Sequence, residues 1–509
     1  MHRRLGLMVA GLVLTAMLGA CRSPAYSPSG DPLLDLRNPN LFTPERSDAA
    51  RVAWSEVRAG VRDRERTRGA FKDLAWSQQT PDELRLTVLE LLVRDDDPAG
   101  AEDSKRLVGL MLPAEPSLAV QALLASAAAE QGWVELTPAL VRSWGREIEH
   151  IDDDKRVERA ALMQLHPGRD VERIVFDVFV DPAGVGVGAS DAASLRLDDR
   201  TRADAWALLS RLDPEGVRRL DMLKSASPRD ADSARLVGDL LLAWRELSVL
   251  PETAMELEWL ARLRGRTTES AAQRNTEWWA QTRSGVQRLG QAQRIGLELR
   301  HLEPVRWASV HRPGWLVASR SELLSELDAL LAGRERYART ADMNPQRPAS
   351  KERLRDWDDR LSWGDALAIL TVDHAVRMPG VAASLFGHVD ADRSDTTTEY
   401  GGVLEFVDDG GDARLVLFPP RARDRRDDNR FVASADMVNY SDRALAHYHM
   451  HVQSVRYAKY AGPSDGDLLY ARLSGRSSLV FTSLGSDRVN VDYYQGTGAV
   501  LDLGVIEQP

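Results

Sequence analysis

Cysteine is almost absent from this chain, whose 509 residues include only Cys21. A disulfide within the chain is therefore excluded. The chain also lacks a basic excess, because 66 Lys and Arg residues face 77 Asp and Glu residues and give a net charge of −11. Without surplus positive charge to neutralise phosphates, we expect no nucleic-acid partner. Beyond the N-terminus no stretch reaches about eighteen apolar residues, so we expect no membrane-spanning helix there.

The N-terminus has the parts of an export signal. Residues 2–4 are basic, Leu5 to Met17 form a short apolar run, and Leu18-Gly19-Ala20-Cys21 resembles the lipobox of bacterial lipoproteins. The resemblance implies a signal peptide over residues 1–20 and a tether over residues 21–48. We therefore expect a protein of the bacterial cell envelope, exposed outside the inner membrane and anchored in a lipid bilayer through Cys21.

Residues 49–265 show helical periodicity, as in the leucines between positions 84 and 92. Residues 159–165 resemble residues 206–212 at an offset of 47 residues, which is a spacing of HEAT-type helical hairpins. We predict an all-α, HEAT-like region here. Packing alone would explain such a region, and a concave docking surface for a protein partner is the functional alternative.

A second helical region, residues 266–360, is predicted to connect the HEAT-like region to a C-terminal domain. Its arginine-rich segments, 334–339 and 353–360, fit helices whose surfaces the arginine stems cover. A further helix over Trp363–Val376 then leads into the C-terminal domain.

In the predicted C-terminal domain, residues 361–509, the alternation of apolar and polar residues changes to a period of two after position 399. We predict a multidomain chain in which the helical regions are followed by an α+β domain. The predicted strands are Gly402–Phe406, Arg414–Phe418, Leu445–His449, Leu479–Thr482 and Val489–Tyr493.

This domain contains residues in the order that a single-zinc hydrolase requires. On an extended strand His449 and His451 project from one face, with Cα atoms about 7 Å apart, and can share one metal. A catalytic zinc usually takes three protein ligands and leaves its fourth position to water, and Asp467 is the best candidate for the third ligand. Glu399 could accept the proton of that water, and Ser464 could donate to a developing oxyanion.

The same residues resemble the JAMM (MPN-type) metalloprotease family. That family has a glutamate before glycines and an apolar strand, then His-x-His on another strand, then Ser-x-x-Asp opening a helix. The resemblance covers about residues 361–509. It implies a JAMM/MPN fold and a Zn²⁺ ion bound by His449, His451 and Asp467, with Glu399 as general base and Ser464 assisting the tetrahedral intermediate.

The chain departs from the family pattern in three places. Met450 stands where the family usually has Ser or Thr, no proline follows His451, and twelve residues separate His451 from Ser464. Ser464 and Asp467 also fit the capping box of a helix without any metal. His447 shares the strand face of the two candidate ligands, and we expect it to be a neighbour of the site or a surface residue rather than a ligand.

These patterns predict a membrane-anchored, zinc-dependent peptidase or isopeptidase that cuts peptide or protein substrates in the bacterial envelope. The alternative is a catalytically inactive JAMM-like lipoprotein that acts as an envelope scaffold through its helical region. Bound metal would distinguish the two.

Overall fold

A computed structural model describes most of the chain, namely residues 29–148, 150–182, 192–340, 351–407, 411–425, 427 and 430–509. The predicted signal peptide and Cys21 lie outside the described residues. The chain divides into two compact units, Met1–Val171 and Glu172–Pro509.

The described part of the first unit is built from α-helices joined by short turns. They are α1 (Pro32–Arg37), α2 (Thr43–Arg58), α3 (Arg64–Trp76), α4 (Asp82–Val93), α5 (Pro98–Met111), α6 (Leu118–Glu130), α7 (Thr137–Gly145) and α8 (Val157–Leu165).

Polar contacts cap these helices and hold them against neighbouring segments. Asp97 precedes α5 and accepts the backbone N–H of Gly100 at 2.9 Å, which satisfies a donor that the first helical turn leaves unpaired. Arg85 on α4 and Glu115 form a buried ion pair in which both side chains are 3 % exposed. Removing one partner would leave the other charge buried and unpaired, which is strongly destabilising. The pair therefore fixes α4 relative to the turn after α5.

The described part of the second unit contains further helices and one sheet. Its helices are α9 (Val171–Val180, which starts at the boundary), α10 (Ala192–Leu212), α11 (Val217–Lys224), α12 (Ala231–Leu247), α13 (Ala254–Leu263), α14 (Glu269–Gln287), α15 (Gln291–Arg294), α16 (Leu302–His311), α17 (Arg320–Leu331), α18 (Trp363–Val376), α19 (Pro379–Arg393), α20 (Ala435–Tyr440) and α21 (Asp465–Ser474). Its strands are β1 (Gly401–Phe406), β2 (Ala413–Leu417), β3 (Ala446–His451), β4 (Ser478–Ser483), β5 (Arg488–Tyr494) and β6 (Val500–Glu507).

The six strands form one mixed sheet in the order β2-β1-β3-β4-β5-β6. Neighbouring strands are antiparallel except β3 and β4, which are parallel. The predicted order of a helical region followed by an α+β region is therefore confirmed.

Helix α18 is the central helix of the second unit and coincides with the helix predicted from the sequence. All but one of its residues are buried, so it is enclosed by the protein on every side rather than exposed on one face. Among the described residues no single helix is long and apolar enough to cross a membrane; α18 and α19 meet that test only together, with a bend of 75° between them.

The structure corrects two expectations about the second unit. The predicted strands are all present to within one or two residues, but β6 was not predicted. The helical pattern proposed for residues 334–339 is wrong, because α17 ends at Leu331 and residues 334–339 form neither a helix nor a strand. Arg334 there pairs with Asp373 of α18 at 2.6 Å, so the segment is held against the domain core.

A buried ion-pair network holds the start of α18. Asp365 caps the helix with Ser362, whose N–H donates to the carboxylate at 2.7 Å. The other carboxylate oxygen of Asp365 lies 3.0 Å from both Arg300 Nη2 and His301 Nε2. Burial alone would raise the pKa of Asp365, but the charge of Arg300 holds that pKa below its ordinary value.

Replacing Asp365 should destabilise the second unit strongly. Asp365→Ala would leave Arg300 buried beside a single carboxylate, Glu298, and remove a helix cap, so we expect a loss of about 3–5 kcal/mol in the free energy of unfolding. Urea denaturation followed by tryptophan fluorescence measures it. Asp359→Ala, at a side chain that is 75 % exposed, is the control and should change stability by less than about 0.5 kcal/mol. Equal stability of the two variants would contradict this account.

Candidate metal centre

The antiparallel pairing of β1 with β3 explains how a glutamate and two distant histidines converge. Gly401 lies opposite His449 in this pair, so the same register continued beyond β1 brings Glu399 opposite His451. His449 and His451 lie on one face of β3 because side chains alternate along a strand. A ligand atom from each of Glu399, His449 and His451 lies within 4.8 Å of the others.

Asp467 reaches the same place because β3 and β4 are parallel neighbours. A parallel pair needs a crossover connection, which here consists of the loop after His451 and helix α21. The helix begins at Asp465, so Asp467 lies in its first turn. Oδ1 of Asp467 lies 3.4 Å from Nε2 of His449.

The two imidazole rings present the same nitrogen to each other, with His449 Nε2 and His451 Nε2 only 3.2 Å apart. Nδ1 of His451 donates to the backbone oxygen of Tyr460 at 2.9 Å. A carbonyl oxygen only accepts, so Nδ1 carries the proton and Nε2 of the neutral ring keeps its lone pair. Nδ1 of His449 lies 3.4 Å from the Tyr494 hydroxyl. Partners of this kind fix the ring orientation of metal-binding histidines.

Burial and charge act differently on the two rings. Burial, with the nearby His449, lowers the pKa of His451 to about 3, so this ring is neutral near pH 7. Burial also disfavours a charged His449, but the Asp467 carboxylate beside it raises the pKa of His449 above its ordinary value. Without a metal, a proton on His449 Nε2 would face both Asp467 and His451. A divalent cation would replace that proton, since metal ligands must be deprotonated.

The side chain of Glu399 is held by a residue that is not a candidate ligand. Its Oε1 accepts a hydrogen bond from Gln453 Nε2 at 2.8 Å, and the residue is buried. Gln453 therefore restricts the carboxylate to one orientation. A carboxylate so placed is a candidate acceptor for a proton from water at the site.

Ser464 and Asp467 form the capping box of α21, and this does not exclude a metal role for Asp467. Oδ2 of Asp467 accepts from the backbone N–H and from the hydroxyl of Ser464, both at 2.7 Å. Oδ1 is the oxygen that faces His449. One carboxylate can therefore cap the helix with Oδ2 and face a metal position with Oδ1, so the capping and metal-binding interpretations of Asp467 are compatible. The hydroxyl proton of Ser464, as placed, orients Asp467 rather than pointing to a substrate.

The two glycines after Glu399 are required by close packing of their neighbours. A Cβ at Gly401 would clash with the backbone oxygen of Tyr448 and lie 2.6 Å from ring atoms of Phe431, and one at Gly402 would clash with the backbone oxygen of Val416. Phe431 in turn stacks on the His449 ring, with 5.8 Å between centroids and 11° between planes. Gly401 therefore lets an aromatic side chain cover the histidine.

A cavity of about 570 Å³ opens onto the two histidines. Its volume is that of a typical small-ligand or peptide side-chain site, about 300–1,000 Å³. His447 also lines it; the side chain is buried rather than on the surface, and its Nδ1 lies 2.8 Å from the Tyr470 hydroxyl. The described wall also contains aromatic and cationic side chains, namely Phe431, Tyr457, Tyr460, Tyr494, Arg339 and Arg430.

Arg339 is one of the cavity residues that sequence patterns did not indicate. Its segment was expected to be helical and lies far from the histidines along the chain. The backbone N–H of Thr340 donates to the oxygen of Lys459 at 2.9 Å, which joins this segment to the loop beside His451. Only a pattern of long-range backbone pairing could have revealed it.

Two other features of the second unit share some properties of this site. Glu298, His301 and Asp365 also bring ligand atoms within 4.8 Å of one another, but Arg300 pairs with both of those carboxylates. That group is therefore an ion-pair network. A larger cavity, about 910 Å³, lies among α10, α12 and α13 and is lined by acidic and basic side chains of mixed sign. Neither feature combines candidate ligands with an open cavity.

The structure thus brings ligand atoms of Glu399, His449 and His451 within 4.8 Å of one another and Asp467 within 3.4 Å of His449, with Ser464 attached through Asp467. The buried Glu399, His449 and His451 could bind a metal. No protein-family model, curated protein or solved structure matches this chain. The functional assignment accordingly depends on the geometry of the site.

The departure from the family pattern at Met450 should affect stability and not the metal. Met450 is fully buried and lies on the strand face opposite the imidazoles. We expect Met450→Ser to lower the free energy of unfolding by about 2 kcal/mol or more, whereas Met450→Leu should cost less than about 1.5 kcal/mol. Zinc affinity, measured by competition with a chelating dye, should be unchanged in both. An altered affinity at unchanged stability would place Met450 at the site instead.

Proposed function

We propose that this protein is a zinc-dependent peptidase or isopeptidase that hydrolyses an amide bond with water. One observation carries the proposal. In a buried site His449 Nε2 lies 3.2 Å from His451 Nε2 and 3.4 Å from Asp467 Oδ1, beside a cavity. Glu399 supplies a further carboxylate next to these atoms.

The spacing of these atoms suits zinc. A tetrahedral zinc with bonds of about 2.0–2.1 Å to nitrogen and oxygen separates its ligand atoms by about 3.3–3.4 Å. The separations here are 3.2 Å between the two nitrogens and 3.4 Å between nitrogen and oxygen. Two imidazoles and a carboxylate also match a donor set that catalytic zinc takes. His449, His451 and Asp467 would hold the metal.

The surrounding residues have defined roles in this proposal. When bound, zinc would lower the pKa of water toward about 7 and polarise the amide carbonyl. Glu399 would accept the proton of the attacking water and deliver it to the leaving amine, in the orientation that Gln453 sets. Ser464 would assist the oxyanion only if its hydroxyl turns away from Asp467.

The resemblance to JAMM metalloproteases supports the same assignment of residues. We propose on this basis that the sheet of the second unit and its buried helix α18 are JAMM-like. We also propose that the helical region is a HEAT-like array that binds a protein partner. The two segments that suggested the repeat lie in α8 and α10, which belong to different compact units.

We place the reaction in the bacterial envelope, at the surface of a membrane. This placement depends on the lipobox-like sequence that ends at Cys21. A substrate there would be an envelope peptide or an isopeptide-linked protein. The competing hypothesis is an inactive JAMM-like lipoprotein that serves as a scaffold, and it predicts a purified protein without bound zinc.

Metal content and hydrolysis test the proposal together. We expect about one zinc per chain by elemental analysis, and substantial loss of zinc in His449→Ala and His451→Ala. Glu399→Gln should keep the zinc but lose about 10²-fold or more in the rate of peptide hydrolysis, because a general base is removed without a ligand.

His374→Gln is the matched control, since His374 is a half-buried histidine of the same unit that contacts Trp307. It should keep both zinc and activity. Wild-type protein that binds no zinc, or a His449→Ala variant with unchanged zinc and activity, would refute the proposal.

The anchor is tested separately. Cys21→Ser should move the protein from the membrane fraction to the soluble envelope fraction, because the lipid attachment site is lost. Ser27→Ala, in the same tether, should stay with the membrane. Unchanged membrane association of Cys21→Ser, measured by fractionation and immunoblot, would contradict lipidation.

A further inference from the structure

We propose that Asp492 of β5 and Asp502 of β6 share one proton at neutral pH, and that this proton holds together two segments that line the cavity beside the histidines. The pair and its proton form a pH-sensitive latch in the wall of that cavity. The inference is independent of zinc and of the proposed hydrolysis, because it concerns two carboxyl groups that the proposed reaction does not use.

The two carboxyl groups lie opposite each other inside the sheet. Asp492 and Asp502 face each other in the pairing of β5 with β6, and only 0 % and 2 % of these residues are exposed. On its other side Asp492 is paired with the apolar Val480 of β4. Directly opposite residues of an antiparallel pair have Cβ atoms about 4.5–5.5 Å apart. Two buried carboxylates this close repel each other, so one of them retains its proton.

The charged groups around the pair do not replace that proton. Burial, with the charges of Asp502 and Glu352, raises the pKa of Asp492 well above its ordinary value. Burial also raises the pKa of Asp502, although the charge of Arg336 acts in the opposite direction. Arg377 interacts electrostatically with the same Asp502 carboxylate. Among the described residues no cation forms an ion pair with Asp492, so a charge there would have no direct partner.

Hydrogen bonds assign the proton to Asp492. Both oxygens of Asp502 accept backbone N–H groups at 2.7 Å, Oδ1 from Gly504 and Oδ2 from Tyr337, which favours the charged carboxylate. Oδ2 of Asp492 accepts from Asn490 Nδ2 at 2.9 Å, whereas its Oδ1 has no hydrogen-bond partner in the described part of the chain. A proton on this Oδ1 would make it a donor, and the charged Asp502 opposite is an acceptor.

A metal ion is the other way to compensate buried carboxylates. Within the described ranges, the carboxylates of Glu352, Asp492 and Asp502 do not bring three oxygens within 4.8 Å of one another, unlike the ligand atoms at the histidine site. Calcium, the usual oxygen-bound cation, takes six to eight oxygens at about 2.3–2.6 Å. A shared proton needs only one oxygen from each of two carboxyl groups. The geometry therefore favours a proton.

The pair is connected to two segments of the cavity wall. The N–H that Asp502 accepts from Tyr337 belongs to the segment that carries the cavity residue Arg339. The backbone of Gly462, in the loop before α21 that also lines the cavity, interacts with the Asp492 carboxyl group. Loss of the proton would place two like charges side by side against both segments. The latch is therefore closed at neutral pH and loosens as the pH rises through the pKa of the pair.

Thermal unfolding at two pH values tests the shared proton. Between about pH 4, where an unfolded aspartate titrates, and the raised pKa of folded Asp492, the folded state binds more protons than the unfolded state. Stability therefore falls as the pH rises through this interval. Asp492→Asn removes the effect, because the amide is neutral and nearly isosteric. We expect this variant to unfold at a temperature about 2 °C or more above wild type at about pH 8, and the difference should be smaller at about pH 5.

Infrared spectroscopy detects the proton directly. In the difference spectrum between wild type and Asp492→Asn at about pH 7, we expect the carbonyl stretch of one protonated carboxyl group. Asp487→Asn, at an exposed aspartate of the turn before β5, is the matched control and should change neither this band nor the unfolding temperature. Asp502→Asn should instead lower the unfolding temperature, because an amide has only one oxygen to accept the two backbone N–H groups.

Hydrogen exchange locates the latch. At about pH 8 the backbone amides of residues 334–340 and 457–463 should exchange more slowly in Asp492→Asn than in wild type, and equal exchange would overturn the latch. Absence of the protonated-carboxyl band, or a stability difference that does not grow with pH, would overturn the shared proton. Calcium chloride that raises the unfolding temperature of wild type but not of Asp492→Asn would also overturn it, in favour of a metal ion. None of these measurements requires bound zinc.

Discussion

The parallel pairing of β3 with β4 is the constraint on which the candidate site depends. Because parallel strands cannot be joined by a tight turn, the chain must leave the histidine strand, cross the sheet as α21 and return. That path brings the first turn of α21 to the imidazoles, and Asp467 can then cap the helix with one oxygen and face His449 with the other. A site of this kind also has to compensate buried charge, and a metal ion between two imidazoles and a carboxylate does so directly.

Much of the sheet and of the candidate ligand set could be predicted from the sequence. The period of two after position 399 indicated five of the six strands, and it also assigned His449 and His451 to one face and Met450 to the other. Helix α18 was also predicted, and in the structure its apolar run begins after a capping serine, Ser362. These features are local, since each depends on residues within a few positions of one another.

The remaining features depend on contacts between distant segments, which local patterns do not encode. The register that brings Glu399 opposite His451 follows from strand pairing across some fifty residues. Arg339 was assigned to a helical pattern in which arginine stems cover the helix surface, yet its segment forms no helix and contacts Asp502, Glu352 and Lys459 instead. Tertiary contacts decided the backbone there, and the same contacts bring a cation to the cavity.

X-ray absorption spectroscopy at the zinc edge tests the central claim most directly, since it reports the atoms around the metal in the intact protein. The account predicts a first shell of about four nitrogen and oxygen atoms near 2.0–2.1 Å, with outer-shell scattering from two imidazole rings. His449→Ala should reduce that outer-shell scattering to one ring. A zinc shell without imidazole scattering, or with six oxygen atoms at longer distances, would contradict a metal centre built from His449, His451 and Asp467.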